Sequence, residues 1–289
     1  MKNYKGKAIY NPSGKAGEYS YWACNFVVGC SNGCTYCYLK KGRGAAILGG
    51  DKPELKKCFK NESHALKVFE TELLQNIEDL RKHGLFFTFT SDPMLQETIK
   101  LNWDAIELCV NYRVPVKILT KKADWVDKLL NEYPKQRFGY FKESPHSIPL
   151  EDAYSLELRK YIACGFTLTG HDELEPNAST NVERINAMAK LHNVGFKTFA
   201  SIEPIVDLDS SWQMIVESFP YCDLFKIGIM SGMEYNKKQL INFITGTNEL
   251  FSDLLKTPIY WKDSLLKQAG ILREQLPENC VNRDYNLFK

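Results

Sequence analysis

Two periods run through the chain. Short runs dense in β-branched and aromatic residues alternate with longer stretches whose apolar positions recur every three or four residues. The short runs predict strands at 24–29 (CNFVVG), 85–90 (LFFTFT), 114–120 (VPVKILT), 165–169 (GFTLT), 196–202 (FKTFASI) and 223–229 (DLFKIGI), with a further one at 257–261. Several are apolar almost throughout, which indicates burial on both faces, as in a parallel sheet. The longer stretches predict helices over 64–82, 180–194 and 236–254. Thr180 and Glu183 read as a capping box, and Gly195 as a stop. Strand–helix alternation over about 240 residues predicts an α/β fold, a partial or near-complete parallel (β/α)6 barrel. No linker marks a boundary. The expected division is a lead-in at 1–20, a core at 21–262 and a closing helix and tail at 263–289.

In such folds chemistry sits at the carboxyl ends of the strands, and here those ends are polar. They carry Thr90-Ser91-Asp92-Pro93, Thr120-Lys121, Thr169-Gly170-His171-Asp172, Ser201-Ile202-Glu203-Pro204 and Met230-Ser231-Gly232. Any one of them is ordinary turn chemistry; together they outline a polar mouth. Charge adds little, because 37 basic residues face 35 acidic ones. That balance neither requires nor excludes a nucleic-acid partner. No apolar run reaches the ~20 residues that span a bilayer, so no membrane association is expected. The start has no apolar signal-peptide region, and the expected location is the cytoplasm.

The nine cysteines are odd in number and do not read as a disulfide framework. Six are scattered (Cys24, Cys58, Cys109, Cys164, Cys222, Cys280) and read mainly as small buried hydrophobes. The other three crowd into GCSNGCTYCY, spaced Cys-x3-Cys-x2-Cys at Cys30, Cys34 and Cys37. A structural zinc would want a fourth ligand from a second pair, and no second pair exists. A cubane iron–sulfur cluster fits better, with three thiolates at three corners and Gly33 letting the loop turn. One iron is then left open for a substrate or cofactor.

Cys30, Cys34, Tyr36 and Cys37 fill every position of Cys-x3-Cys-x-aromatic-Cys, the pattern of the radical S-adenosylmethionine superfamily, which the chain resembles. The resemblance implies a [4Fe-4S] cluster whose open iron is chelated by S-adenosyl-L-methionine. Its reductive cleavage gives a 5′-deoxyadenosyl radical that abstracts hydrogen from a substrate. It also implies an electron donor such as a flavodoxin or ferredoxin. Within the superfamily the chain is similar to the branch of spore photoproduct lyase and its relatives. The similarity rests on IYNPSGKAGEYS, Thr90-Ser91-Asp92-Pro93, Ile118-Leu119-Thr120-Lys121 and LEPNASTNVER, and spans roughly residues 8 to 207.

That resemblance implies that Ser91 and Lys121 hold the methionine portion of the cofactor and that Tyr36 lies beside the adenine. Thr169 is a candidate for ribose or carboxylate or an ordinary strand-end hydroxyl, and Glu203 for ribose hydroxyls, a substrate donor or a salt bridge closing the barrel mouth. Arg184 reads as structural or as an ion-pair partner of Glu175, His171 as a turn or ion-pair residue or an acid/base near pH 7, and Lys262 as a surface lysine or one that reaches the substrate. The lyases have a cysteine where this chain has Thr90, which counts against thymine-photoproduct repair; Cys222 is a candidate replacement hydrogen donor. The substrate class implied is nucleic acid or nucleotide, in a lyase-like reaction. The run KKGRGAAILGGDKPELKK is a candidate phosphate-binding lid or a solvated loop. The alternative is a non-catalytic metal-binding or nucleic-acid-binding module with a structural cluster or zinc. Methyl or methylthio transfer would call for further cysteines near the site, and no second group of them occurs.

Overall fold

A computed structural model describes residues 3–42, 44–136, 158–254 and 257–288. Among the described residues the strands are β1 (Ile9–Tyr10), β2 (Ala23–Cys24), β3 (Val27–Val28), β4 (Glu54–Leu55), β5 (Leu85–Phe87), β6 (Val116–Thr120), β7 (Ile162–Thr167), β8 (Lys197–Ile205), β9 (Phe225–Ile229) and β10 (Ile259–Trp261). Eight of them form one sheet in the order β1-β2-β5-β6-β7-β8-β9-β10. β1 is an antiparallel edge and every other pairing is parallel. Successive parallel strands are thus spatial neighbours, as expected when each crossover helix returns the chain one position along. The helices between them are Glu62–Gln75 with Ile77–His83, then Ile99–Asn111, Trp125–Gln136, Asn181–Asn193, Leu208–Ser218 and Lys237–Leu254; Asp263–Ala269 follows β10.

The parallel α/β class is as expected, but the sheet's edges are β1 and β10, and no ladder joins them among the described residues. Residues 24–29 are not one strand. Asn25 and Phe26 leave the main sheet, and Val27–Val28 pairs instead with Glu54–Leu55 in a separate ribbon. The helix expected over 64–82 is two, broken at Asn76, whose backbone (φ −122°, ψ 19°) is not helical. The lead-in also carries structure. β1 pairs with β2, and the Glu72 carboxylate accepts from the Lys7, Ala8 and Ile9 amides at 2.6, 2.9 and 2.7 Å.

The helix-facing side of the sheet is one apolar core, including Phe69, Leu85, Val116, Ile118, Phe166, Met188 and Ile227. On the opposite face Tyr19, Ala23, Phe86, Ala163, Phe199 and Tyr260 form a second buried cluster. Strands from β2 near one edge to β10 at the other supply these residues, so the sheet curls around them. The concave polar region above this cluster holds the site.

Candidate functional site

The cysteine loop leaves β3 through Gly29, whose φ of +83° favours glycine and where a Cβ would lie 2.3 Å from the Lys52 carbonyl oxygen. Thr90 holds this exit, its Oγ1 donating to the Val27 carbonyl at 2.6 Å. Gly33 also has positive φ, +72°. The segment after β7 clamps the loop's other side. Asn177 donates its amide N–H to Asn32 at 3.2 Å and its side chain to the Ser31 carbonyl at 3.0 Å, while Thr35 N–H reaches the Leu174 carbonyl at 3.0 Å.

The three thiols open into a cavity of about 320 Å³, bounded also by the ends of β5, β6, β7, β8 and β10. Cys30, Cys34, Cys37, Tyr36, Ser91, Lys121 and Glu203 all line it. Thr169 does not: it is fully buried, its Oγ1 accepts from the His171 amide at 3.2 Å, and Thr167 stands on the wall instead. Burial, then the Asp92 charge, pushes the Cys30 thiol up to about 12, and burial also raises Cys34. Loading either with a metal group therefore displaces a proton.

Asp92 joins three parts of the site. Its carboxylate accepts from Asn32 Nδ2 at 2.8 Å, Thr120 Oγ1 at 2.6 Å, and the Lys121 and Met94 amides at 2.8 and 3.0 Å. Beside it Glu175, fully buried in its side chain, accepts from Tyr36 OH and Arg184 and lies 3.8 Å from Lys121 Nζ. Arg184 is also fully buried and donates to the Ser179 and Thr167 carbonyls, both at 2.7 Å. It is thus an ion-pair partner of Glu175, one of the two expected roles. Burial is the largest influence and opposes the Lys121 charge, but Glu175, Cys34 and Asp92 together outweigh it and raise the lysine's pKa. Lys121 also lies over the Tyr36 ring at 5.6 Å.

The far wall departs from expectation. Lys262 is not a surface lysine: it is fully buried, 2.8 Å from Glu203 and 3.7 Å from Glu18. Its ammonium also sits 4.0 Å from the Tyr19 ring centroid. Tyr19 OH shares a 2.6 Å hydrogen bond with Ser201 Oγ and donates to Glu203 at 2.7 Å. Gly228 makes room for the pair, since a Cβ there would meet Lys262 at 2.8 Å and Glu203 at 3.0 Å. Sequence reasoning passed over Tyr19 and Glu18; the adjacent acid and phenol in GEYS, inside a lead-in otherwise full of turn residues, were the available signal.

His171 and Cys222 both lie off the cavity wall. His171 is held between Glu173 at 2.7 Å and Asp207. Cys222 is buried, its Sγ directed to the Leu224 carbonyl at 3.1 Å, so the suggested donor faces away from the site.

Two polar atoms near the thiols, Ser91 Oγ and Asn32 Oδ1, are buried without a hydrogen-bond partner. Buried groups of this kind normally have partners, so they leave polar capacity for a ligand. Among the described residues no three thiol, imidazole or carboxylate groups converge on a single-ion position. A tetrahedral zinc needs such convergence, at ~2.3 Å per thiolate, whereas a multi-iron cluster is gripped at separate corners. The donor set, three thiols from one loop lining one cavity, fits three corners of an iron–sulfur cluster.

No protein-family model matches the chain, and no curated protein matches it. Its fold is similar to the crystal structure of Streptococcus suis SuiB bound to S-adenosylmethionine, with a TM-score of 0.50 and 12% identity. The likeness covers 83% of this chain and 47% of that one, so the chain spans under half that protein's length. At this identity the likeness is one of fold: a curved, mostly parallel α/β sheet. No helix among the described residues is long and apolar enough to cross a membrane.

Proposed function

We propose that the protein is a radical S-adenosylmethionine enzyme on a partial (β/α) barrel, with a [4Fe-4S] cluster on Cys30, Cys34 and Cys37 and S-adenosylmethionine in the adjoining cavity. The observation that carries this reading is the pairing of three thiols from one loop with unpartnered buried oxygens on Ser91 and Asn32. At about 320 Å³ the cavity lies at the lower end of the ~300–1,000 Å³ range of ligand pockets. When bound, the pair supplies hydrogen-atom abstraction by reductive cleavage of the sulfonium.

The chain's own residues bind and orient. Lys121 offers a compact charge to a carboxylate, and its 3.8 Å distance from Glu175 leaves its donors unsaturated. Ser91, on the same cavity, supplies a buried hydroxyl without a hydrogen-bond partner. Tyr36, its hydroxyl committed to Glu175, presents its ring. Thr167 takes the wall position assigned to Thr169. Glu203, already engaged by Lys262 and Tyr19, bounds the space where a substrate would lie. The nucleic-acid or nucleotide substrate and the lyase-like reaction rest on the sequence resemblance, and Thr90 and Cys222 supply no thiol at the cavity for the lyase pattern.

Anaerobic reconstitution with iron and sulfide, followed by dithionite reduction, tests this. The expected electron paramagnetic resonance signal is that of a reduced [4Fe-4S] cluster, altered by S-adenosylmethionine and lost in Cys34→Ala. One zinc per chain, or a cluster whose signal ignores S-adenosylmethionine, would overturn the reading in favour of a structural clasp.

A further inference from the structure

One carboxylate oxygen stands between two groups that the proposed cofactor would use. Glu175 Oε1 accepts from Tyr36 OH and lies 3.8 Å from Lys121 Nζ, while Oε2 accepts from Arg184. Main-chain bonds fix the three parts that meet here. Lys121 donates its amide to Asp92 at 2.8 Å and accepts from the Ser179 amide at 3.0 Å. Thr35, just before Tyr36, donates its amide at 3.0 Å to Leu174, just before Glu175. The adjacent lysine does not compete, because Lys122 Nζ is directed to the Asn177 carbonyl at 3.3 Å.

At 3.8 Å the Lys121–Glu175 contact is about 1 Å longer than a charge-assisted hydrogen bond of ~2.8 Å. A flexible lysine stem can close that gap, and a buried carboxylate oxygen without another donor favours closing it. Among the described residues the hydrogen bond to Oε1 comes from Tyr36 OH. That neutral donor satisfies the oxygen, so Lys121 keeps its N–H groups for the cavity it lines. The Cys-x3-Cys-x-aromatic-Cys pattern asks only for a ring at this position; the hydroxyl is this chain's own choice.

Resting on the cofactor reading above, we propose that the Tyr36 hydroxyl is a positioning group that holds Glu175 off Lys121 and so reserves Lys121 for the cofactor's carboxylate. This role is separate from that of the ring. Phenylalanine here would keep the ring and release Glu175 Oε1. The released oxygen would close on Lys121, and an incoming carboxylate would then have to displace an internal one.

The probes are S-adenosylmethionine and methylthioadenosine, which shares the nucleoside but has no carboxylate. Each is titrated by anaerobic equilibrium dialysis onto the reconstituted, unreduced protein, so that no turnover occurs. Tyr36→Phe is expected to bind S-adenosylmethionine about tenfold more weakly, to bind methylthioadenosine like the wild type and to hold the same iron. Adding Glu175→Gln should restore S-adenosylmethionine affinity, because a neutral amide does not draw the ammonium. Should the uncompensated Arg184 unfold that double variant, the two probes on the single variant still decide. Methylthioadenosine losing as much as S-adenosylmethionine, S-adenosylmethionine losing nothing, or a fall in iron content would overturn the role while leaving the cofactor site in place. A wild type that binds neither probe would instead remove the cofactor site, and this role with it.

Discussion

Lys262 sits where a cation is expensive unless matched, and two carboxylates match it. Removing one member of a buried pair strands the others, at a cost of about 3–5 kcal/mol. Lys262→Ala is therefore expected to lose about 3 kcal/mol in urea unfolding, the low end because Glu203 borders the cavity. Lys262→Met with Glu203→Gln should recover part of that loss. His171 makes a pH-dependent prediction. Burial works against its charge, but Glu173 and Asp207 outweigh it and raise its pKa. A raised folded value means the contribution is complete below the unfolded value near 6.5 and is lost as pH rises through the folded one. The melting temperature of wild type over His171→Gln should thus be greatest near pH 6 and shrink toward pH 8. A difference independent of pH would assign His171 to packing alone.

At the scale of elements, strand cores and caps were readable where local chemistry decides them. The Thr180–Glu183 capping box forms as its spacing indicates, with Glu183 accepting from the Thr180 amide at 2.7 Å. Strand ends were less legible. Residues 85–90 end as a strand at Phe87, after which the chain turns to bring Asp92 against Asn32, Thr120 and Lys121, partners distant in sequence. Gly165 tests how tightly β7 and β8 mesh. A Cβ there would meet the Phe199 ring at 2.2 Å, and that ring is itself buried. Gly165→Ala is expected to cost about 1–3 kcal/mol by overpacking. Adding Phe199→Leu should give a non-additive cycle with a coupling of about 0.5–3 kcal/mol; additive losses would mean the strands shift apart freely.

At the scale of the whole molecule, the curl of the sheet buries charge that no local pattern forecasts. Lys226 on β9 lies under Tyr19 and Tyr260, its ammonium donating to the Glu18 and Tyr19 carbonyls at 3.1 and 3.2 Å. Burial, then Lys117 and Lys262, drives its pKa well below the lysine value. Burial likewise brings Lys117 down to about 8. For a lysine lowered in the folded state, the penalty is full below the folded value and absent above the unfolded one near 10.4. Wild type should therefore gain stability relative to Lys226→Met as pH rises from neutrality toward 10. Parallel pH profiles in chemical denaturation would show that Lys226 reaches water.

The sequence by itself determined the class of fold, the helix cap and the three-cysteine loop, because each depends on neighbours a few residues apart. It also marked Tyr36 on the cysteine loop and Ser91, Lys121 and Glu203 at strand ends, which line one cavity because consecutive parallel strands end on the same side. Only the tertiary structure decided that Thr167 lines the cavity in place of Thr169, that Lys262 is buried, and that Tyr19 crosses from the lead-in to Glu203. Those outcomes depend on which faces meet when the sheet curls, over separations such as the 184 residues between Tyr19 and Glu203. Along the chain such residues look like any other turn residue or surface cation; their roles arise from burial, which is a property of the assembled fold.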